Sequence, residues 1–134
     1  YSMFLNLLNQ EEKITFLKLA HHVANSDNDF SESQQSIIGK YCTEMQINDI
    51  DEDEKKEDYL ISLKKIDKSK SQKIVLLEIL ALIYSDQYVH PEEQKVLDQM
   101  LEIFSLSTAL SVVYTEWSKS ILALYVQGSA LIEL

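Results

Sequence analysis

The chain is 134 residues long, 46% hydrophobic and 25% charged, with a formal net charge of −10. That length fits one domain with a real core, and the charge disfavours nucleic acid and anionic membrane surfaces, whose phosphates it would repel. Two glycines and one proline are too few for the turns of a strand-rich protein or for a phosphate-cradling loop, so the class is all-α.

Met3 to Leu8 is apolar and predicts a short helical lid. Tyr1-Ser2 ahead of it is read as native or as a remnant, with Met3 then the natural start. Asn9 stands as an N-cap before Gln10, Glu11 and Glu12, where negative charge suits the helix dipole. Ile14, Leu17, Ala20, Val23 and Ala24 follow helical spacing up to Ser26. Asp27-Asn28-Asp29 is a turn. Ser31 opens a second helix with Gln34 at capping-box spacing, and Ile37, Ile38, Tyr41, Cys42 and Met45 mark its buried face.

Residues 44–58 are acidic. The spacing predicts one helix with acids in front, Lys64 and Lys65 behind, and Tyr59, Leu60 and Leu63 as its apolar contacts. Asp67 to Ser71 reads as a polar linker. Ile74 to Ile83 is apolar nearly all round, which predicts the central helix of a bundle. The run to Tyr84 is broken by Glu78 and is too short to cross a bilayer. Ser85 to Val89 is a turn, His90 an N-cap, Pro91 the first helical residue, and Glu93 lies three past the cap. A final helix opens at Ser105 or Ser107. Leu110, Val113, Tyr114, Trp117, Ile121, Leu124 and Tyr125 form a long apolar stripe on it, expected as core, and Gly128 is its expected stop.

The chain contains one unit twice, 59 residues apart. Each copy is an apolar helix ending in Ser-Asp (Ser26-Asp27, Ser85-Asp86), a short turn with one apolar residue (Phe30, Val89), and a second helix opening with Gln34 or Glu93. The expected architecture is a single-domain bundle of about six to seven helices, built from two pseudo-symmetric helix-turn-helix repeats over about 10–45 and 70–106, with a C-terminal helix over about 107–127.

Chemistry would have to sit at the two corners. Asp27, Asp29, Glu32 and Gln34 surround the first; Asp86, Glu92 and Glu93 surround the second. Oxygen ligands at turns are what Ca²⁺ or Mg²⁺ require. The alternative is that the same residues cap helices, which need such partners regardless of metal. An EF-hand is excluded: its sixth position is Glu32 rather than Gly, and its twelfth is Ile38 rather than Glu. His21 and His22 are adjacent and point about 100° apart on a helix, so they cannot chelate together. Cys42 is alone, on an apolar face, and reads as a buried small hydrophobe in a reducing compartment. The serines lack a nucleophile-elbow setting, and no carboxylate pair with split roles is visible.

The repeated corner resembles that of the TerB-like (tellurite resistance protein B) family. Its usual form is Asp-Gly-x-apolar-Ser/Asp-x-x-Glu. Here the corners read Asp27-Asn28-Asp29-Phe30-Ser31-Glu32-Ser33-Gln34 and Asp86-Gln87-Tyr88-Val89-His90-Pro91-Glu92-Glu93. The resemblance implies a pseudo-twofold helical bundle linked to tellurite resistance and stress response, with acidic residues holding a divalent metal. By position, Asp27, Gln34, Asp86 and Glu93 are the metal candidates, with Asp29 compensating for the Gln that replaces a Glu. Asn28 and Gln87 stand where the family has Gly.

The sequence thus predicts a cytoplasmic, non-enzymatic accessory domain that binds a divalent cation of the Ca²⁺ or Mg²⁺ class at its corners and docks to a protein with a basic surface. It predicts no nucleic acid partner and no membrane span. The alternative is a pure protein-interaction bundle using its acidic surface, with the corners serving only as caps.

Overall fold

Most helices begin at caps written into the sequence. In the computed structural model, which describes residues 4–25, 32–84 and 89–134 (backbone alone for 32–34), Asn9 and Glu12 form a reciprocal capping box. The Glu12 N–H donates to Asn9 Oδ1 and the Asn9 N–H to Glu12 Oε1, both at 2.9 Å. This opens α1, Gln10–Asn25. The helix α2 spans Glu32–Met45. Asp51 caps the short α3, Glu52–Lys55, by accepting the Glu54 N–H at 2.7 Å, and Asp58 caps α4, Tyr59–Lys64, by accepting the Leu60 N–H at 2.9 Å. Then follow α5, Ser69–Ile83, α6, Pro91–Ile103, and α7, Thr108–Ile132. Ser107 starts α7 by accepting the Leu110 N–H at 3.1 Å.

Among the described residues the protein is all-helical, with seven α-helices and a 3-10 turn at Leu5–Leu7. The expected N-terminal lid is that turn, anchored by buried Leu5 and Leu8. The single helix expected in the acidic segment is two short ones. Asp58 sits in extended conformation between them, because its side chain serves better as a cap than as a mid-helix residue. The expected linker at Asp67 to Ser71 is shorter: α5 already begins at Ser69, and Ser71 is buried.

The central role of α5 holds. Ile74, Val75, Leu76, Ile79, Leu80, Leu82 and Ile83 are all buried, covering most of its circumference. Phe16, Leu17, Leu19, Ala20 and Val23 of α1, Ile38, Tyr41 and Met45 of α2, and Val96, Leu97 and Met100 of α6 complete the core. Phe16 and Tyr41 meet edge to face, centroids 5.1 Å apart, joining α1 to α2.

Two helices end alike. Gln46 after α2 and Ser105 after α6 have φ of 58° and 53°. The Ile47 N–H reaches back to the Cys42 carbonyl at 3.2 Å and the Leu106 N–H to the Leu101 carbonyl at 2.9 Å. Each is the left-handed closure normally given to Gly, which satisfies a carbonyl that the helix end leaves over.

Candidate functional site

Three of the five candidate ligands, Asp27, Asp29 and Asp86, lie outside the described residues, as does the side chain of Gln34. Glu93 is described. His90 precedes α6 in extended conformation (φ −76°, ψ 153°), and Pro91 takes the first helical position, where its missing N–H costs nothing. Glu93 Oε1 then accepts the His90 N–H at 2.9 Å. The carboxylate is only 1% exposed. Cap geometry therefore accounts for one Glu93 oxygen, as the capping alternative required.

The histidines diverge as helix geometry demands. His21 is buried, its Nε2 2.8 Å and 3.0 Å from the two oxygens of Asp49, which also accepts the Ile50 N–H at 2.9 Å. His22 turns the other way and lies against the Tyr59 ring at 4.4 Å between centroids. Tyr59 in turn donates to Gln99 Oε1 at 2.8 Å, tying α4 to α6. Loss of water around the His22 ring pushes its pKa below 6.5; Glu92 opposes this, Lys95 adds to it and Asp58 opposes it. The unfolded chain then takes up this proton first as pH falls, so the group costs stability below about pH 6.5 and nothing above it. An NMR titration should place the His22 ring protons' midpoint below 6.5; a midpoint above it would contradict this environment.

Cys42 does not offer a nucleophile. Burial and the nearby Asp49 charge both push its thiol pKa up, leaving it protonated near neutrality. The acids of the 44–58 segment are largely committed locally. Asp49 holds His21, Asp51 and Glu54 cap α3, Glu52 pairs with Lys55, Glu57 pairs with Lys18, and Asp58 caps α4.

The largest departure from expectation is α7. Its apolar stripe faces the core only in part: Leu110, Tyr114 and Ile121 are half-buried, Tyr114 against the core, while Val113, Trp117, Leu124 and Tyr125 are exposed. Ser118 is the residue of α7 that is buried, with Leu110, Ser111, Tyr114, Thr115, Ile121 and Leu122 half-buried around it, and α7 packs against α5. Val113, Leu124 and Leu131 are 62–66% exposed and Trp117 38%. Trp117 keeps a contact with Phe4, centroids 6.2 Å apart, and Lys119 lies over the Tyr84 ring at 5.0 Å. Beyond Leu122 every residue except the half-buried Gly128 is exposed. Gly128 does not stop the helix, which runs on to Ile132. A Cβ at Gly128 would meet nothing within 4 Å, so no described neighbour in the chain requires glycine there, although a mid-helix Gly costs about 1 kcal/mol relative to Ala. The sequence signal for this surface was present: residues 120–132 carry no charge in a chain of net charge −10. Periodicity alone could not say which side of the helix the core would take.

No family model, curated protein or solved structure matches this chain. No helix among the described residues is long and apolar enough to cross a membrane.

Proposed function

We propose that this chain is a non-enzymatic docking domain of TerB-like type, which acts by binding another protein chain through the outward face of α7. The observation that carries this reading is the row of exposed Val113, Trp117, Leu124 and Leu131 on one helix. Contiguous apolar surface of this kind marks interaction sites. The acidic segment is the weaker contact surface, because its carboxylates already cap helices and hold His21 and Lys18.

The TerB-like part of the reading draws on the corner motifs and on the spacing of the helices. From Gln10 to Ser69 and from Glu32 to Pro91, the starts of α1 and α5 and of α2 and α6 are both 59 residues apart. That agrees with a duplicated pair of helices.

Photo-crosslinking in cells tests the docking reading. A crosslinker placed at Val113 or Leu131 should form protein adducts, whereas one placed at Asp53 should not. Adducts from Asp53 alone would move the contact to the acidic face and overturn the reading.

A divalent cation at the corners is the second reading, motivated by the paired acidic corner motifs, of which Glu93 is the described member at the start of α6. Saturating Ca²⁺, Mg²⁺ or Mn²⁺ should then raise Tm by several degrees, an effect reduced by Glu93→Gln. No shift with any of the three would remove this reading.

A further inference from the structure

We propose that the partner of α7 is a second copy of this chain, paired through the two α7 helices running antiparallel; this rests on the docking reading above. Tyr114, Trp117, Ile121, Leu124, Gly128 and Leu131 alternate steps of three and four. That is the spacing of a two-helix seam. Tyr114 and Ile121 lie where the seam borders the face seated on α5, and the other members lie further out.

The side-chain volumes select the direction. In an antiparallel pair centred between Ile121 and Leu124, Trp117 of one copy meets Gly128 of the other, Tyr114 meets Leu131, and Ile121 meets Leu124. Every layer then matches a larger group with a smaller one or two of equal size, as close packing requires. A parallel pair would place Trp117 on Trp117 and Gly128 on Gly128, one layer overfilled and the next empty. The antiparallel layer also supplies what the isolated chain lacks, a reason for glycine at 128.

Charge leaves α7 as the surface on which two copies can meet. Two copies of net charge −10 repel over most of their surface. The charges of α7 are Glu116 and Lys119, which cancel. An anionic membrane would repel the same chain, and a basic protein would be drawn to residues 44–58 rather than here. Antiparallel pairing also sets the two acidic bodies at opposite ends of the contact.

Area is sufficient. Val113, Leu124 and Leu131 are about two-thirds exposed and Trp117 over a third, which leaves an apolar strip on the order of 400 Å² per copy, within the range of patches that mark interaction sites. Two strips with the flanking Leu110, Ser120 and Gln127 bury about 1,000 Å² in total, the threshold for a biological interface and the size of a weak one. A contact of this size is expected to be weak, so concentrations around micromolar are the range to span. Pairing also accounts for helix beyond Leu122, since a segment of about ten residues has little stability in water without packing.

Sedimentation equilibrium of the full chain from below to above micromolar concentration reads the result. A monomer–dimer equilibrium is expected. Leu124→Lys should weaken it by at least about tenfold. Gly128→Leu should weaken it as well while raising the helix content of the monomer; Val112→Lys, off the seam, should leave it unchanged. In a Cys42→Ser background, Trp117→Cys with Gly128→Cys in one chain should give oxidised dimers, whereas Leu124→Cys alone should not.

Ready crosslinking by Leu124→Cys would overturn the antiparallel pairing. A chain monomeric throughout, with an adduct to another protein from Val113, would overturn self-pairing and leave the docking reading standing. A dimer indifferent to Leu124→Lys, or a monomer that binds anionic vesicles only when Leu124 is intact, would overturn both.

Discussion

Phe16→Ala is expected to destabilise the protein by about 3–5 kcal/mol, the range for deleting a fully buried aromatic ring. Phe16 is wholly inaccessible and sits edge to face on Tyr41, also inaccessible. Truncation removes the ring's own burial, leaves a cavity between α1 and α2, and strips Tyr41 of its aromatic partner. Domains of this size are stable by about 5–15 kcal/mol, so the loss is a large share of the total. Urea unfolding followed by far-ultraviolet circular dichroism would show the midpoint fall with an unchanged slope. A loss below about 1 kcal/mol would mean that the α1–α2 contact repacks and is not rigid core.

Leu5→Ala is expected to cost about 2–5 kcal/mol, although it lies in a three-residue turn near the chain's start. Leu5 is wholly buried, and its turn packs against both α2 and α5. It also carries Phe4 to Trp117. The consequence should therefore reach α7: the emission of Trp117, the chain's one tryptophan, should shift to longer wavelength as Phe4 withdraws. Measured together, Tm and fluorescence separate two cases. A large fall in Tm with unchanged emission would place the turn's effect in the core alone.

Much of this fold was legible because its signals are local. Asn9 with Glu12, Ser107, and His90 with Pro91 and Glu93 each start a helix by satisfying orphan N–H groups nearby in sequence. The burial of α5 was legible because ten consecutive residues offer only Glu78 as a polar interruption. The acidic segment was misjudged as one helix because Asp58 suits a first helical turn and a cap equally well in composition; only the backbone decides between them. The stripe on α7 was legible as a stripe, but a hydrophobic period does not say which part of it the core takes. There the inward side is the one centred on Ser118, and the rest of the stripe stays exposed. Of the corner, Glu93 could be followed into the structure, and its geometry was foreseeable from its place three residues past His90.

The two left-handed closures at Gln46 and Ser105 give the chain two interchangeable exits. Each stop is completed within six residues, 42–47 and 101–106, and none of its hydrogen bonds involves what comes next. What comes next differs completely: an acidic passage with two short helices after the first, a long helix with only Glu116 and Lys119 charged almost at once after the second. Halting a helix through its own main chain leaves the following segment unconstrained. One device can therefore precede two unlike segments, a passage of short helices in one place and a long, largely exposed helix in the other.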